Sequence, residues 1–261
     1  MITSSQNPKI KRIRQLQMQT RYRKKESAFV VEGIRLIEEV FAANQVPELV
    51  IYTSDLDQRG SLLLEKLMAQ NFSCEEVSEN VIKYASDTET PQGILAVLPQ
   101  FKLPIPPKPD FVLIVDEIRD PGNLGTLLRT ALAAGVSAVL LSPGTVDQYS
   151  PKVLRSGMGA HFSLPIRCLS WKEIQQLTKE LKIIGTDMRQ GNRYWDADLR
   201  PPLALIIGGE AYGPGEQGKQ LTQEWIHIPM QDQTESLNAS AAGAILMYEI
   251  VRQRYLPHQN Q

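Results

Sequence analysis

Cysteine is scarce. Only Cys74 and Cys168 occur in 261 residues, in neither a CxxC nor a His-flanked spacing. That argues against a disulfide framework and against structural zinc, and two reduced thiols are expected. Histidine is equally sparse. His161, His227 and His258 lie far apart and follow no ligand pattern, so no metal is expected. Long hydrophobic runs are missing too. Stretches such as residues 203–207 fall well short of the roughly 20 apolar residues that a membrane helix needs. The N-terminus is polar and basic without an apolar signal core, so neither membrane nor secretion is expected and the location reads as cytoplasmic. What remains is ordinary globular usage, 42% hydrophobic and 22% charged, enough for a core without staples.

The near-zero net charge of −1 conceals an asymmetry. Residues 1–35 hold nine cations, Lys9, Lys11, Arg12, Arg14, Arg21, Arg23, Lys24, Lys25 and Arg35, against Glu26 and Glu32. That segment carries +7, so the rest carries −8. A basic arm on a mildly acidic body suits a local grip on phosphate, although a solvated helix face would look the same.

Residues 99–109, PQFKLPIPPKP, contain five prolines and mark an extended linker between residues 1–98 and 110–261. Before it, helical periodicity covers residues 7–19, 34–41 and 62–69, and strands are predicted at 29–31, 48–52 and 93–98. This is a small α/β domain. After it, short β-branched runs at 111–115, 138–141, 183–184, 203–207 and 226–228 alternate with helices at 124–134, 171–181, 215–221 and 239–255. Such runs are those of a parallel sheet covered on both faces.

Ligands of open α/β sheets bind at the carboxyl ends of the strands, and three loops there are unusual. The first reads DPGNLGTLLR over residues 120–129, a turn in which Asn123 is expected to cap the next helix, with Arg129 on that helix. The second is GGEAYG over 208–213, where glycine permits close backbone approach and Glu210 is the one charge. Gly213, Gly218 and Lys219 match a P-loop spacing, but Gln220 stands where that loop needs Ser or Thr. The third runs from IPM at 228–230 to ESLNAS at 235–240, with Ser236 or Asn238 as the cap of a final helix rich in small residues. No GxGxxG follows the first strand of this half, which weighs against an ordinary Rossmann-type cofactor enzyme.

In this order the three loops resemble the signature of the SpoU/TrmH family in the SPOUT methyltransferase superfamily. SSQNPKIK at 4–11 and FVVEGIR at 29–35 resemble that family's L30e-like substrate-binding domain. The resemblance implies a parallel-sheet domain with a C-terminal trefoil knot, a homodimer, and S-adenosylmethionine-dependent 2′-O-methylation of a ribose in RNA, ribosomal RNA first. A transfer RNA substrate and a non-catalytic RNA-binding protein are the alternatives. It implies a catalytic set of Arg129, Asn123, Glu210, Ser236 and Asn238. It implies cofactor contacts from Thr186, Gly208, Gly209, Glu210, Gly213, Ile228, Met230 and Leu237. Lys9, Lys11, Arg12, Arg21, Arg23 and Arg35 are the expected RNA contacts. The chain departs from the family pattern at Gly209, where Asn or Ser is usual, and at Asp232 and Thr234, where Gly and Val are usual.

Overall fold

The computed structural model describes residues 1–188, 190–209, 213–231 and 236–255. Contacts divide it into two compact units, Met1–Phe101 with Asp147–Phe162, and Lys102–Val146 with Ser163–Gln261.

The first unit is built on strands β1 (Ala28–Glu32), β2 (Leu49–Tyr52), β3 (Cys74–Glu76) and β4 (Ile94–Pro99), in the order β1-β4-β2-β3. Only β2 and β3 run parallel. Helices α1 (Pro8–Met18), α2 (Thr20–Glu26), α3 (Ile34–Ala42), α4 (Gln58–Ala69) and α5 (Glu79–Ala85) cover it. Both faces of the sheet are buried, so the alternation in β1 sorts residues between two cores. Phe29 and Val31 join Ile37 of α3 and Leu67 of α4, whereas Ala28 and Val30 join Ile10, Ile13 and Leu16 of α1. Each such aliphatic side chain, fully buried, contributes about 1.5–3 kcal/mol.

The second unit holds β5 (Phe111–Val115), β6 (Ala138–Leu141), β7 (Ile166–Cys168), β8 (Lys182–Thr186), β9 (Asn192–Arg193), β10 (Leu203–Ile207) and β11 (Glu224–His227). They form one parallel sheet in the order β7-β6-β5-β10-β8-β11-β9. This is the expected α/β class. Its helices are α6 (Pro121–Ala133), α8 (Trp171–Leu177), α9 (Glu216–Leu221) and α10 (Ala239–Tyr255). α8 covers one face through Ile174, packed with Val112, Ile114, Ala204 and Ile206. On the other side α10 lies against α6 so closely that a Cβ on Gly243 would stand 2.4 Å from Leu127 Cδ2. That is the reason for glycine at position 243 of α10.

Between β6 and β7 the chain supplies α7 (Pro151–Gly157) and a 3₁₀ turn at Ala160–Phe162 to the first unit, where Leu154 and Phe162 enter the Phe29 core. The boundary at residues 99–109 assigns 147–162 to the second half of the chain, whereas their packing places them in the first unit. Arg23 anchors the segment. It is 2% exposed, its Nη2 lies 2.7 Å from Asp147, and its Nη1 donates to the carbonyls of Leu16 and Gln17. Arg23 is therefore a structural cation and not the RNA contact expected of it.

Candidate active site

Helix α6 begins where the chain leaves β5. Asp120, not Asn123, is the N-cap, accepting the Asn123 N–H at 2.8 Å, and Pro121 occupies the first turn. This corrects the expected cap, and it frees the Asn123 side chain for a different task. Asn123 Oδ1 accepts from Asn238 Nδ2 at 2.8 Å, joining two loops 115 residues apart in sequence. Asn238 Oδ1 in turn accepts from the Ser240 N–H at 2.9 Å and the Ser240 hydroxyl at 2.6 Å, and so caps α10. Asn238 is thus the cap that the sequence offered as one of two. Ser240, 9% exposed and 3.4 Å from Asn123, completes the cluster, and composition had marked it only as a small residue.

The carboxyl ends of β8, β10 and β11 lie side by side, because β8 pairs in parallel with both others. With the start of α10 they enclose a cleft of about 710 Å³, counting its open mouth. Thr186, Gly208, Gly209, Gly213, Ile228, Met230 and Leu237 all line it, as does Ser236. These are the expected cofactor contacts with one exception: Glu210 lies outside the described residues, as do Asp232 and Thr234. Met188, Ile226 and Leu246 add apolar wall that sequence reading did not assign. Nothing in their spacing could have found them, since they reach the cleft from three separate elements.

The glycines shape this cleft. A Cβ on Gly208 would stand 2.0 Å from the carbonyl carbon of Gly213 and 2.1 Å from Pro214 N, so only glycine fits there. Gly213 has φ +64° and donates its N–H to Gly209 O at 3.1 Å, closing the loop on itself. Among the described residues, a Cβ on Gly209 would meet only Glu117 O, at 3.5 Å. The residues present therefore fit a partly polar ligand such as S-adenosylmethionine, with glycine backbone and aliphatic side chains as its walls.

A second cleft, of about 950 Å³, shares Gly209 and Gly213 with the first. It is charged, lined among others by Arg119, Asp120, Asn123 and Lys219. Its Gly215 is tied from behind by Asp116 at the end of β5, a buried carboxylate absent from the sequence candidates. Asp116 accepts from the Ser142 hydroxyl and from the Gly215 N–H, both at 2.7 Å. Next to it Glu117 holds φ +52°, an unfavourable backbone for a non-glycine residue at a strand end.

Arg129 is not brought into either cleft. It is exposed on α6 without a salt-bridge partner among the described residues. Six residues beyond Asn123, it points about 120° away around the helix and stands about 9 Å along it. The basic arm divides similarly. Lys9 is paired with Glu75, and Arg12 lies between Glu26 at 3.4 Å and Glu48 at 2.8 Å. Lys11, Arg21 and Arg35 are exposed.

Comparison with known proteins decides the family. Residues 110–248 match the SpoU rRNA methylase family, more than half of the chain. The chain belongs to the SpoU rRNA methylase family. Residues 7–96 of this SpoU chain match the MRM3-like substrate binding domain. The chain is 34% identical to the 23S rRNA (guanosine(2553)-2′-O)-methyltransferase RlmP of Bacillus subtilis, over 95% of this chain and 98% of that one. A crystal structure of an RNA 2′-O ribose methyltransferase superposes with a TM-score of 0.83 at 35% identity, covering 98% of this chain and 99% of the other. The SpoU methyltransferase AviRb of Streptomyces viridochromogenes, solved with the cofactor AdoMet, gives 0.86 at 26% identity, with 95% and 99% covered. The parallel seven-stranded sheet is that of the SPOUT methyltransferases.

Proposed function

We propose that this SpoU chain methylates a ribose 2′-hydroxyl of ribosomal RNA with S-adenosylmethionine. The observation that carries the reading is the pairing of clefts, one apolar and walled by glycine backbone, one charged, with Gly209 and Gly213 common to both. Its relatives support the choice of substrate, since RlmP is named for 2′-O-methylation of 23S rRNA and AviRb was solved with AdoMet. Bound S-adenosylmethionine supplies an electrophilic methyl group. The chain's own part is positioning: Gly209 and Gly213 line both clefts, so a hydroxyl held beside Asn123 lies next to the cofactor cleft.

A guanidinium already carries its full complement of protons and is no general base, so Arg129 stabilises negative charge on the reacting oxygen or on a flanking phosphate. Because it faces away from Asn123 on its own helix, Arg129 serves the site of a second copy. The exposed Leu132 of α6 and Ile245 and Tyr248 of α10, 38%, 38% and 49% exposed, supply the apolar surface for that homodimer. The return of the chain from β11, near one edge of the sheet, to α10 against α6 fits a trefoil knot, and residues 7–96 fit an L30e-like RNA-gripping domain.

The test is transfer of labelled methyl from S-adenosylmethionine to ribosomal RNA and to transfer RNA, each lacking its own modifications. Label in ribosomal RNA at a position that resists alkaline cleavage supports the reading. Label in transfer RNA alone overturns the substrate class. Failure to bind S-adenosylmethionine overturns the reading entirely.

A further inference from the structure

The first unit contains an open cavity of about 860 Å³, counting its mouth, that shares no residue with either cleft. Arg35, Leu36 and Glu39 of α3, Thr90, and Arg155 and Met158 of the α7 segment line it. Its walls are fixed in advance. Gln92 Oε1 accepts the Ile34 N–H at 3.0 Å at the start of α3, and a Cβ on neighbouring Gly33, φ +95°, would stand 2.7 Å from the same oxygen. Glu32 accepts from the Asp87 N–H at 3.0 Å and from the Thr88 hydroxyl, pinning the loop that carries Thr90. Met158 is held at φ +46°, a conformation that a non-glycine residue adopts at a cost.

The chemistry of the lining excludes a plain phosphate groove. Two guanidiniums, Arg35 and Arg155, face two carboxylates, Glu32 and Glu39, so the lining is electrically balanced. A polyanion backbone is gripped by cations in excess. Paired donors and acceptors between apolar walls, here Leu36 and Met158, suit the edge and faces of a base instead. Arg155 adds a specific vacancy among donors. Its Nη2 is held by Asp87 at 2.8 Å, while its buried Nη1 has no acceptor among the described residues. An unsatisfied buried donor is costly, so a side-chain shift that opens Nη1 to an acceptor in the cavity lowers that cost.

We propose that this cavity takes one unstacked nucleobase of the RNA substrate, so that a base outside the reacting nucleotide is read by Arg155, Glu39 and Thr90. The proposal rests on the RNA methyltransferase reading above. Arg35, exposed at the edge, holds the adjoining phosphate.

The test uses the full chain and short fluorescent single-stranded oligomers: poly-adenylate, poly-cytidylate, poly-uridylate and alternating guanylate–adenylate. Wild type prefers one of them by about fivefold to a hundredfold, the range that hydrogen-bonded readout of one base edge supplies. In Thr90→Val and Arg155→Gln that preference falls below about twofold, with an unchanged salt slope, because no phosphate contact is lost. Thr90 is an exposed loop residue, so its variant keeps the test valid if Arg155→Gln loosens the Asp87 contact. Equal affinity of wild type for all four oligomers, or an undiminished preference in both variants, overturns the proposal. Calorimetry with S-adenosylmethionine on the same samples separates the two readings. Cofactor binding without base preference defeats the pocket alone, and base preference without cofactor binding defeats the methyltransferase reading alone.

Discussion

Replacing Gly208 by alanine tests the cofactor cleft most directly. The added Cβ would lie 2.0 Å from the Gly213 carbonyl carbon, and ordinary contact begins at 3.4 Å, so backbone must move by the difference, 1.4 Å. Both colliding atoms are main chain, and no rotamer change can relieve them. The shift disrupts the Gly213 N–H to Gly209 O bond at 3.1 Å and displaces the wall common to both clefts. Overpacking of this kind costs about 1–3 kcal/mol, equivalent to roughly fivefold to a hundredfold in affinity when it falls on the bound state. Calorimetric titration with S-adenosylmethionine should show a loss in that range, with a lowered melting temperature. Gly209→Ala is the matched control. Among the described residues its Cβ has a single neighbour, at 3.5 Å, so it should weaken cofactor binding by occupying space and leave the melting temperature unchanged. If Gly208→Ala bound the cofactor within about twofold of wild type, where overpacking predicts more, the reasoning would be refuted.

Asn238→Asp keeps the oxygen that caps α10 but loses the Nδ2 donor to Asn123. Melting should stay near wild type while methyl transfer falls, whereas Asn238→Ala should also lose about 1 kcal/mol of stability. His161 is buried, and desolvation pushes its pKa from an ordinary 6.5 down to about 4, against the bond between Nε2 and Gln148 O. Between those pH values the unfolded chain binds a proton that the folded chain refuses, so stability falls as pH drops from 6.5 towards 4. Denaturant melts at a series of pH values should lose about 3 kcal/mol across that window, and His161→Phe should flatten the slope. Arg23→Ala leaves Asp147, only 11% exposed, without its cation and should cost about 3–5 kcal/mol, yet leave the salt dependence of RNA binding intact. Arg21→Ala should do the opposite, lowering the salt slope by about one unit with no change in melting; a slope change in the Arg23 variant instead would contradict the assignment.

Much of the second unit was readable because its strands are buried on both faces and therefore carry uninterrupted apolar runs. Residues 111–115, 138–141 and 203–207 coincide with β5, β6 and β10. What escaped were elements too short for a period to register. β3 is Cys-Glu-Glu, half-buried throughout, and β7 has three residues, so neither presents an apolar face. The α2, α5 and α7 helices have seven residues each, under two turns.

The sequence by itself determined the family resemblance and the glycine loop, since these rest on residue identity and local spacing. Only tertiary structure decided which of these groups meet. Asn123 could have been a cap, and it became the partner of Asn238 because Asp120 took the cap and α10 packed on α6. Arg23 and Arg21 are both arginines in one basic stretch, but one faces the core and Asp147, and the other faces water. The physical reason is common to both cases. A polar side chain finds its partner through the packing of distant elements, and one-dimensional spacing holds no information about that distance.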